Sequence, residues 1–532
     1  MRPPDDKYYD YAELSVPMDY LLGIDVGSTS MKAAIYDLDG NVVSQASRPS
    51  KSVSNDPEHP NWQVYIPDDV WNGMAAAIKD AVQGIESADS IRAATVTGLG
   101  ADAVPLDENG KPVYPFINWL CTRTAPQFDW WLENVGLDKT FRVSGWQPFV
   151  WSTVLRFIWL QENEPAIARQ INKWLIVEDY INFQLTGRYS TDYTDASPTL
   201  LFDQRSLTWS DELLKIAGID KALLPEPQPS GSFVGEVTSE AASKTGIPAG
   251  TPIFQGGHDY LVGALAAGAI EPGVFLDVTG TWELVITPIE SPQWKPEIRE
   301  MGLTIEAHAV QCLYCLWGGG TAANMLEWYK GQVGIDARQR AEQAQGNVWK
   351  HIIEEASSSS PGAGGIFFLP HFNGTACPNL DPNSLGAFLG LNDTTTRADL
   401  VRAVIEGLDY GFFDMLQAVE RGAGQKAKKI TAIGGAVRNE FWMQNKADVC
   451  GRVVEAPEIE EATALGAAML AGTGVGLYKD LHEAAARVHK PGKVFEPNPK
   501  LTALYAELFE IYKEIYPALK SVNKQIYDRF RV

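Results

Sequence analysis

Two stretches of the chain share one pattern of apolar and polar positions. Residues 20–37, Tyr-Leu-Leu-Gly-Ile-Asp-Val-Gly-Ser-Thr-Ser-Met-Lys-Ala-Ala-Ile-Tyr-Asp, are two β-rich runs joined by a Gly/Ser/Thr turn, which predicts a strand, a tight turn and a second strand. Residues 273–287, Gly-Val-Phe-Leu-Asp-Val-Thr-Gly-Thr-Trp-Glu-Leu-Val-Ile-Thr, again place an acidic residue, Gly and Thr between apolar runs. Elsewhere the spacing is helical. Apolar residues recur with the 3.6-residue period over 68–84, opened by Asp68, and over 150–163, whereas 187–210 reads as loop. The run Ala-Ser-Ser-Ser-Ser-Pro-Gly-Ala-Gly-Gly at 356–365 predicts a flexible surface loop entering an apolar strand at 366–370. With Asp399 as N-cap, Leu400, Val401, Val404, Leu408, Phe412, Met415, Leu416 and Val419 form the stripe of a long helix, and a strand follows at 429–433. Alternating β and α elements with two such hairpins predict an α/β architecture of two related domains, with the chemistry between them.

Composition narrows the function classes. At 532 residues the chain is long enough for two domains with sizeable cores, and 45% hydrophobic against 21% charged residues is a globular profile. The net charge of −23 repels polynucleotides and anionic lipid, although a small anion such as ATP can still bind through backbone N–H groups and Mg²⁺. Five cysteines in so long a chain are not a secreted disulfide framework. No apolar run is long enough for a membrane helix, and residues 1–19 form a polar tail without a signal-peptide core, so a cytoplasmic protein is expected. The Cys312-x-x-Cys315 pair has no partner pair and lies in the apolar run 310–317, which favours a buried strand over a zinc or redox site. The 16 tryptophans are scattered and read as core.

In Asp25-Val26-Gly27-Ser28-Thr29, Gly27 lets the turn bring backbone N–H groups to a phosphate and the hydroxyls add donors, while Asp25 offers Mg²⁺ the hard oxygen ligand it prefers. An ordinary hairpin is the alternative. The second copy, Asp277-Val278-Thr279-Gly280-Thr281, shifts the balance, because two such turns facing each other suit a domain pair gripping a polyphosphate.

The paired hairpins resemble the phosphate loops of the actin, hexokinase and heat-shock chaperone superfamily, and within it the chain is similar to the FGGY carbohydrate kinases. The run 386–391, Gly-Ala-Phe-Leu-Gly-Leu, then seven residues, then 399–406, Asp-Leu-Val-Arg-Ala-Val-Ile-Glu, matches that family's C-terminal signature. Residues 153–160, Thr-Val-Leu-Arg-Phe-Ile-Trp-Leu, resemble the N-terminal one, with Arg156 where Lys is usual. The resemblance implies two actin-like (ribonuclease H-like) ATPase domains, each a mixed sheet flanked by helices, with a cleft between them. Residues 20–272 would be the acceptor side and 273–532 the nucleotide side. It also implies ATP and Mg²⁺ as cofactors, a small sugar or polyol as acceptor, foremost a ketose such as a pentulose, and a homodimer. An ATP-switched binding protein or a noncatalytic sugar sensor on the same scaffold is the rival reading.

The segment 252–260 reads as a strand running into Gly-Gly-His-Asp-Tyr and a small-residue helix over 261–269. A carboxylate at that helix start is favoured in its ionised form by the helix N-terminus. Asp259 is therefore either a general base or a plain cap, and the matching aspartate of the family deprotonates the acceptor hydroxyl. For the acceptor the resemblance implies Asp102, Trp119, Arg123, His258 and His308, with Cys121 departing from the sugar-kinase pattern. For the nucleotide it implies Gly27, Ser28, Thr29, Lys32, Gly280 and Thr281 of the hairpins, Gly319 and Gly320 ahead of a helical stretch at 321–329, and Gly434, Gly435, Ala436 and Asn439. Residues 461–471 resemble the family's hinge helix.

Overall fold

The computed structural model describes residues 18–280 and 282–530. Thr281 and most of the N-terminal tail lie outside the described residues.

Both apolar–turn–apolar patterns fold as antiparallel hairpins. The first pairs β1 (Tyr20–Val26) with β2 (Ser30–Tyr36), and β3 (Val42–Pro49) continues the meander. On the other side of β1 lie β4 (Ile91–Gly98), β6 (Pro252–His258) and β5 (Phe233–Glu236), giving the order β5-β6-β4-β1-β2-β3. β1, β4 and β6 run parallel. The second hairpin pairs β7 (Phe275–Thr279) with β8 (Trp282–Ile289). Its sheet adds β9 (Thr304–Ala307), β10 (Tyr314–Thr321), β11 (Lys429–Ile433), β12 (Val453–Ala456) and β13 (Lys493–Phe495), in the order β9-β10-β8-β7-β11-β12-β13. β7, β11 and β12 are again parallel, and β7, β8 and β10 are again antiparallel neighbours, with β9 intervening in sequence. The echo in sequence is thus a repeat of five strands with the same order and directions, the two-domain mixed α/β fold.

Helices cover the sheets because their apolar stripes match them. α1 (Pro67–Gln83) buries Val70, Trp71, Met74, Ile78 and Ala81 against β2 and β3. α2 (Thr153–Asn163) belongs to a separate tryptophan-rich cluster, and α3 (Asp259–Ala266) follows β6 directly. On the second sheet lie α4 (Ala323–Gln332), α5 (Arg397–Ala423) and α6 (Glu440–Cys450), and α8 (Pro499–Phe530) packs over α5 and α6. α7 (Ala462–Gly474) follows β12 in sequence yet packs on β1 and α3 of the first half. A Cβ at Gly466 would lie 1.9 Å from the Val262 carbonyl oxygen, so only glycine permits that crossing.

Several local expectations need correction. α5 starts two residues before Asp399: Thr396 is the N-cap, its hydroxyl accepting from Asp399 N–H while the Asp399 carboxylate accepts from Thr396 N–H, a reciprocal capping box. Residues 356–358 end a helix, with Ala356 buried, so the loop before the 367–369 strand is shorter than its composition indicates. Gly318, Gly319 and Gly320 are strand residues of β10 rather than a loop ahead of a helix. In the 310–317 run, Cys312 sits exposed in a turn, whereas Cys315 and Leu316 are buried strand residues; all five cysteines are unpaired. The 187–210 stretch holds a short strand and a helical turn that bury Asp192 and Asp195. No helix among the described residues is long and apolar enough to cross a membrane.

Candidate active site

The first hairpin and the start of α3 bring an acidic group of unusual composition to the cleft. Asp25 ends β1 opposite Lys32 of β2, and Lys32 Nζ is 2.7 Å from Glu461, just ahead of α7. One lysine thus faces both Asp25 and Glu461. Asp25 Oδ1 is buried without a hydrogen-bond partner, and burial together with the Asp259 charge pushes the Asp25 carboxyl up to about 8. A buried carboxylate this short of positive charge fits a divalent cation. No cluster of three or more His, Cys, Asp or Glu among the described residues is arranged to hold a metal, so a cation here would complete its shell with water and phosphate oxygens, the habit of Mg²⁺.

The equivalent acid of the second hairpin is neutralised. Asp277 Oδ2 accepts from Lys446 Nζ of α6 at 2.5 Å, and Glu283 of β8 accepts from the same ammonium at 2.6 Å; Asp277 and Lys446 are fully buried. The sequence pattern repeats, but only the first copy leaves a carboxylate free for a cation.

Asp259 opens α3, its Oδ1 accepting from Tyr260 N–H at 2.6 Å. Its side chain is 36% exposed, and the surrounding protein raises it to about 6, so it is ionised at neutral pH yet more basic than an ordinary carboxylate. His258 Nε2 lies 3.9 Å from Asp259 Oδ1. Burial holds the His258 imidazole neutral, down to about 3, and its Nδ1 is unpartnered. The His258 backbone is fixed by its N–H donating to Thr194 Oγ1 at 2.9 Å, which is the use the chain makes of the 187–210 stretch.

Asp259 faces a cavity of about 410 Å³ that both halves line. Of the residues anticipated from sequence, Ser28, Trp119, His258 and Gly319 meet there with Asp259. Its walls are Trp146, Phe149, Trp151, Tyr260, Trp282 and Trp317, and the tryptophans among them were expected in the core. Trp317 and Tyr260 are fixed from behind by Glu306, whose Oε1 accepts from the Trp317 indole at 2.5 Å and from the Tyr260 hydroxyl. Only the cluster Trp146-Gln-Pro-Phe149-Val-Trp151 was dense enough in sequence to mark a wall.

Three anticipated acceptor contacts do not line this cavity. Asp102 is 1% exposed and pairs with Arg156 at 2.8 Å; the family-atypical arginine is its counter-ion. Arg123 lies between the rings of Trp62 and Trp159, donating to Cys121 Sγ, Tyr114 Oη and Asn55 Oδ1 at 2.9 to 3.0 Å. Its fork is spent on the fold, and Cys121 is one of its acceptors. His308 is buried and accepts from Val310 N–H through Nδ1.

In the second half, the Gly280 carbonyl accepts from Ala323 N–H, tying the second hairpin to the start of α4. A Cβ at Gly434 would lie 2.4 Å from the Thr279 carbonyl oxygen, so the turn 434–439 rests against the end of β7. Gly435 and Ala436 open to the surface beside it, and Asn439 caps α6 by accepting from Trp442 N–H. Asn324, which sequence reading passed over, has a buried Oδ1 without a partner near this junction. Lys32 is engaged by Glu461, Gly27 lies against a separate cavity containing Arg48 and Lys51, Thr29 is exposed at the hairpin tip, and Gly320 opens to a small cavity with Glu283.

Comparison with known proteins agrees with this arrangement. Residues 20–266 match the N-terminal domain, and residues 277–475 the C-terminal domain, of the FGGY family of carbohydrate kinases. A xylulose kinase of Lactococcus lactis is 29% identical over 96% of this chain and 99% of its own. An L-fuculokinase of Escherichia coli is 29% identical over 90% of this chain and 97% of its own. The crystal structure of a xylulose kinase from Rhodospirillum rubrum superposes with a TM-score of 0.85 at 28% identity, covering 95% of this chain and 99% of that one.

Proposed function

The chain belongs to the FGGY family of carbohydrate kinases, a sugar or polyol kinase, and on that premise we propose that it phosphorylates a small ketose, a pentulose first, with Asp259 as general base. The observation that carries this reading is the meeting of Asp259, His258 and Ser28 of the first half with Gly319 and Trp282 of the second around one cavity. Near-full-length similarity to xylulose kinases favours the pentulose.

ATP use follows from the family. In this reading the nucleotide lies on 273–532, its base and ribose against Gly434, Gly435, Ala436 and Asn439 and its phosphates between the turns at Gly27–Thr29 and Gly280. Asp25 would hold Mg²⁺, which when bound neutralises charge on the β- and γ-phosphates. The acceptor lies in the aromatic cavity, with Trp119 and Trp317 covering its C–H faces and His258 beside its hydroxyls. Asp259 takes the proton of the attacking hydroxyl as the new O–P bond forms and the bond from γ-phosphorus to the β,γ-bridging oxygen breaks, releasing ADP. The aromatic walls keep water from competing for the phosphoryl group.

The pH dependence follows from sign. A base must be ionised, so activity is lost as pH falls through the Asp259 value of about 6 and is on its plateau above it. A bound cation keeps Asp25 ionised. At saturating Mg·ATP, kcat is therefore expected to fall tenfold per pH unit below about 5 through a single group, and an acid limb centred below 4.5 would remove Asp259 from this role.

Coupled ADP release with Mg·ATP against ketoses, aldoses and polyols of three to seven carbons tests the substrate assignment. Turnover best with a pentulose supports it. Turnover confined to another acceptor replaces the pentulose, and ADP release equal with and without every acceptor replaces the kinase by an ATPase.

A further inference from the structure

The segment 371–386 has two faces. Ala376 and Leu380 line the Asp259 cavity, whereas Thr375, Cys377, Pro378 and Asn379 line a second cavity of about 370 Å³ on the far side. One wall of that second cavity is a single face of α5, on which Asp414, Gln417 and Arg421 follow at spacings of three and four residues. The opposite wall is Tyr512, Lys513 and Tyr516 of α8.

Of the polar side chains that converge here, His371 is hydrogen-bonded to Ser384 and Tyr516 donates to Asp381, whereas five others are unengaged. Asp414, Gln417, Arg421, Thr375 and Asn379 make no side-chain hydrogen bond, and no ion pair within 4 Å, with any described residue. Asp414, Gln417, Thr375 and Asn379 are half-buried and Arg421 is exposed at the rim, and a concavity in which several such groups converge without partners in the fold is the pattern of a ligand site. Asp414 is not in free solvent, since burial raises it to about 6 against the pull of Arg421 and Lys513. The remaining ionic contact is Lys513 with Glu510 at 2.9 Å, on an exposed turn of α8.

The chemistry of the lining selects its ligand. Arg421 and Lys513 supply a forked and a point cation, the pair suited to a phosphate. Asp414 and Arg421 are seven residues apart on one helix, which sets them about 10 Å apart along its axis. Between and beside them Gln417, Asn379 and Thr375 offer hydroxyl-type partners. The tyrosines give an apolar face.

We propose that this cavity is a second, noncatalytic site for a small acyclic phosphorylated polyol or sugar, its phosphate on Arg421 and Lys513 and its hydroxyls on Asp414, Gln417 and Asn379, and that segment 371–386 transmits its occupancy to the Asp259 cavity. Free phosphate shares the anion chemistry but cannot span to Asp414. If the reaction proposed above holds, its product is of this class and the coupling is feedback; the site does not depend on that reading, because its test reads binding directly.

The test is hydrogen exchange of the full chain during titration with glycerol 3-phosphate, xylulose 5-phosphate and inorganic phosphate, read in segments 411–421 and 512–517. Saturable protection of both segments is expected from the phosphorylated polyols, with inorganic phosphate at least tenfold weaker. Arg421→Gln should weaken it at least tenfold, and Asn379→Ala should weaken the polyol phosphates alone. No protection in either segment, or protection undiminished in Arg421→Gln, overturns the site. Equal protection by inorganic phosphate reduces it to an adventitious anion position and overturns the ligand assignment. In steady-state assays the same ligands should shift the acceptor KM of the wild type and not of Arg421→Gln, whose basal kcat stays unchanged. Binding without any such shift overturns the coupling.

Discussion

Replacing Asp259 with asparagine is expected to lower kcat by about 10²–10⁴-fold while leaving ATP affinity within about twofold, the range a positioned general base contributes. The substitution keeps the shape of the side chain and an oxygen able to accept from Tyr260 N–H, so the start of α3 should not move. It removes only the group that receives the hydroxyl proton. The nucleotide is placed against hairpin turns and the 434–439 turn, none of which Asp259 supports. A pre-steady-state measurement of ATP binding beside kcat separates the two effects, and an Asp259→Asn enzyme retaining more than a tenth of wild-type kcat would mean the proton leaves by another route.

Lys446→Met is expected to cost about 3–5 kcal/mol of stability, the penalty for removing one partner from a buried ionic group. Among the described residues Lys446 is the sole cation hydrogen-bonded to Asp277 and Glu283, both buried, and its ammonium also lies 4.1 Å from the Phe412 ring. Asp409 stands close enough to add to the negative potential, though its own oxygens accept from Trp442 and Asn445. Without the lysine, two carboxylates must bury an uncompensated charge or take up protons. The unfolding midpoint of the second half should fall by on the order of 10 °C. Adding Asp277→Asn to Lys446→Met should recover part of the loss, because it removes one of the stranded charges. A single Lys446→Met variant as stable as wild type would show that the ionic group is not what holds β7 and α6 together.

The contrast between these two acids explains what the sequence made legible. Asp25 and Asp277 sit in hairpins that look alike as strings, and both hairpins were readable because a glycine turn between alternating runs has few other folds. What distinguishes them is Lys446, 169 residues beyond Asp277, and no local pattern announces that pairing. The long helix α5 was readable from its stripe. Its start was displaced to Asp399 because Thr396 and Asp399 are both good caps and only the reciprocal hydrogen bonds show which one leads.

The cavity walls were the least legible part. The 146–151 cluster, Trp282 and Trp317 come from separated segments, and a tryptophan's preference for burial is the same in a core as in a closed cleft. Arg123 failed in the opposite direction: its motif position indicated a substrate contact, but Trp62 and Trp159, remote in sequence, enclose its guanidinium. Asp259 was legible because a strand, a glycine pair and a helix start fix a carboxylate at one place whatever surrounds it. Its elevated basicity belongs to the tertiary surroundings.

The most direct test of the account is ³¹P NMR of Mg·ATP turnover in the presence of a pentulose, following the terminal phosphorus. A sugar phosphomonoester resonance is expected to grow in step with ADP, with little free phosphate, and to be lost in Asp259→Asn. Free phosphate growing in step with ADP, with no phosphomonoester from any acceptor, would contradict it.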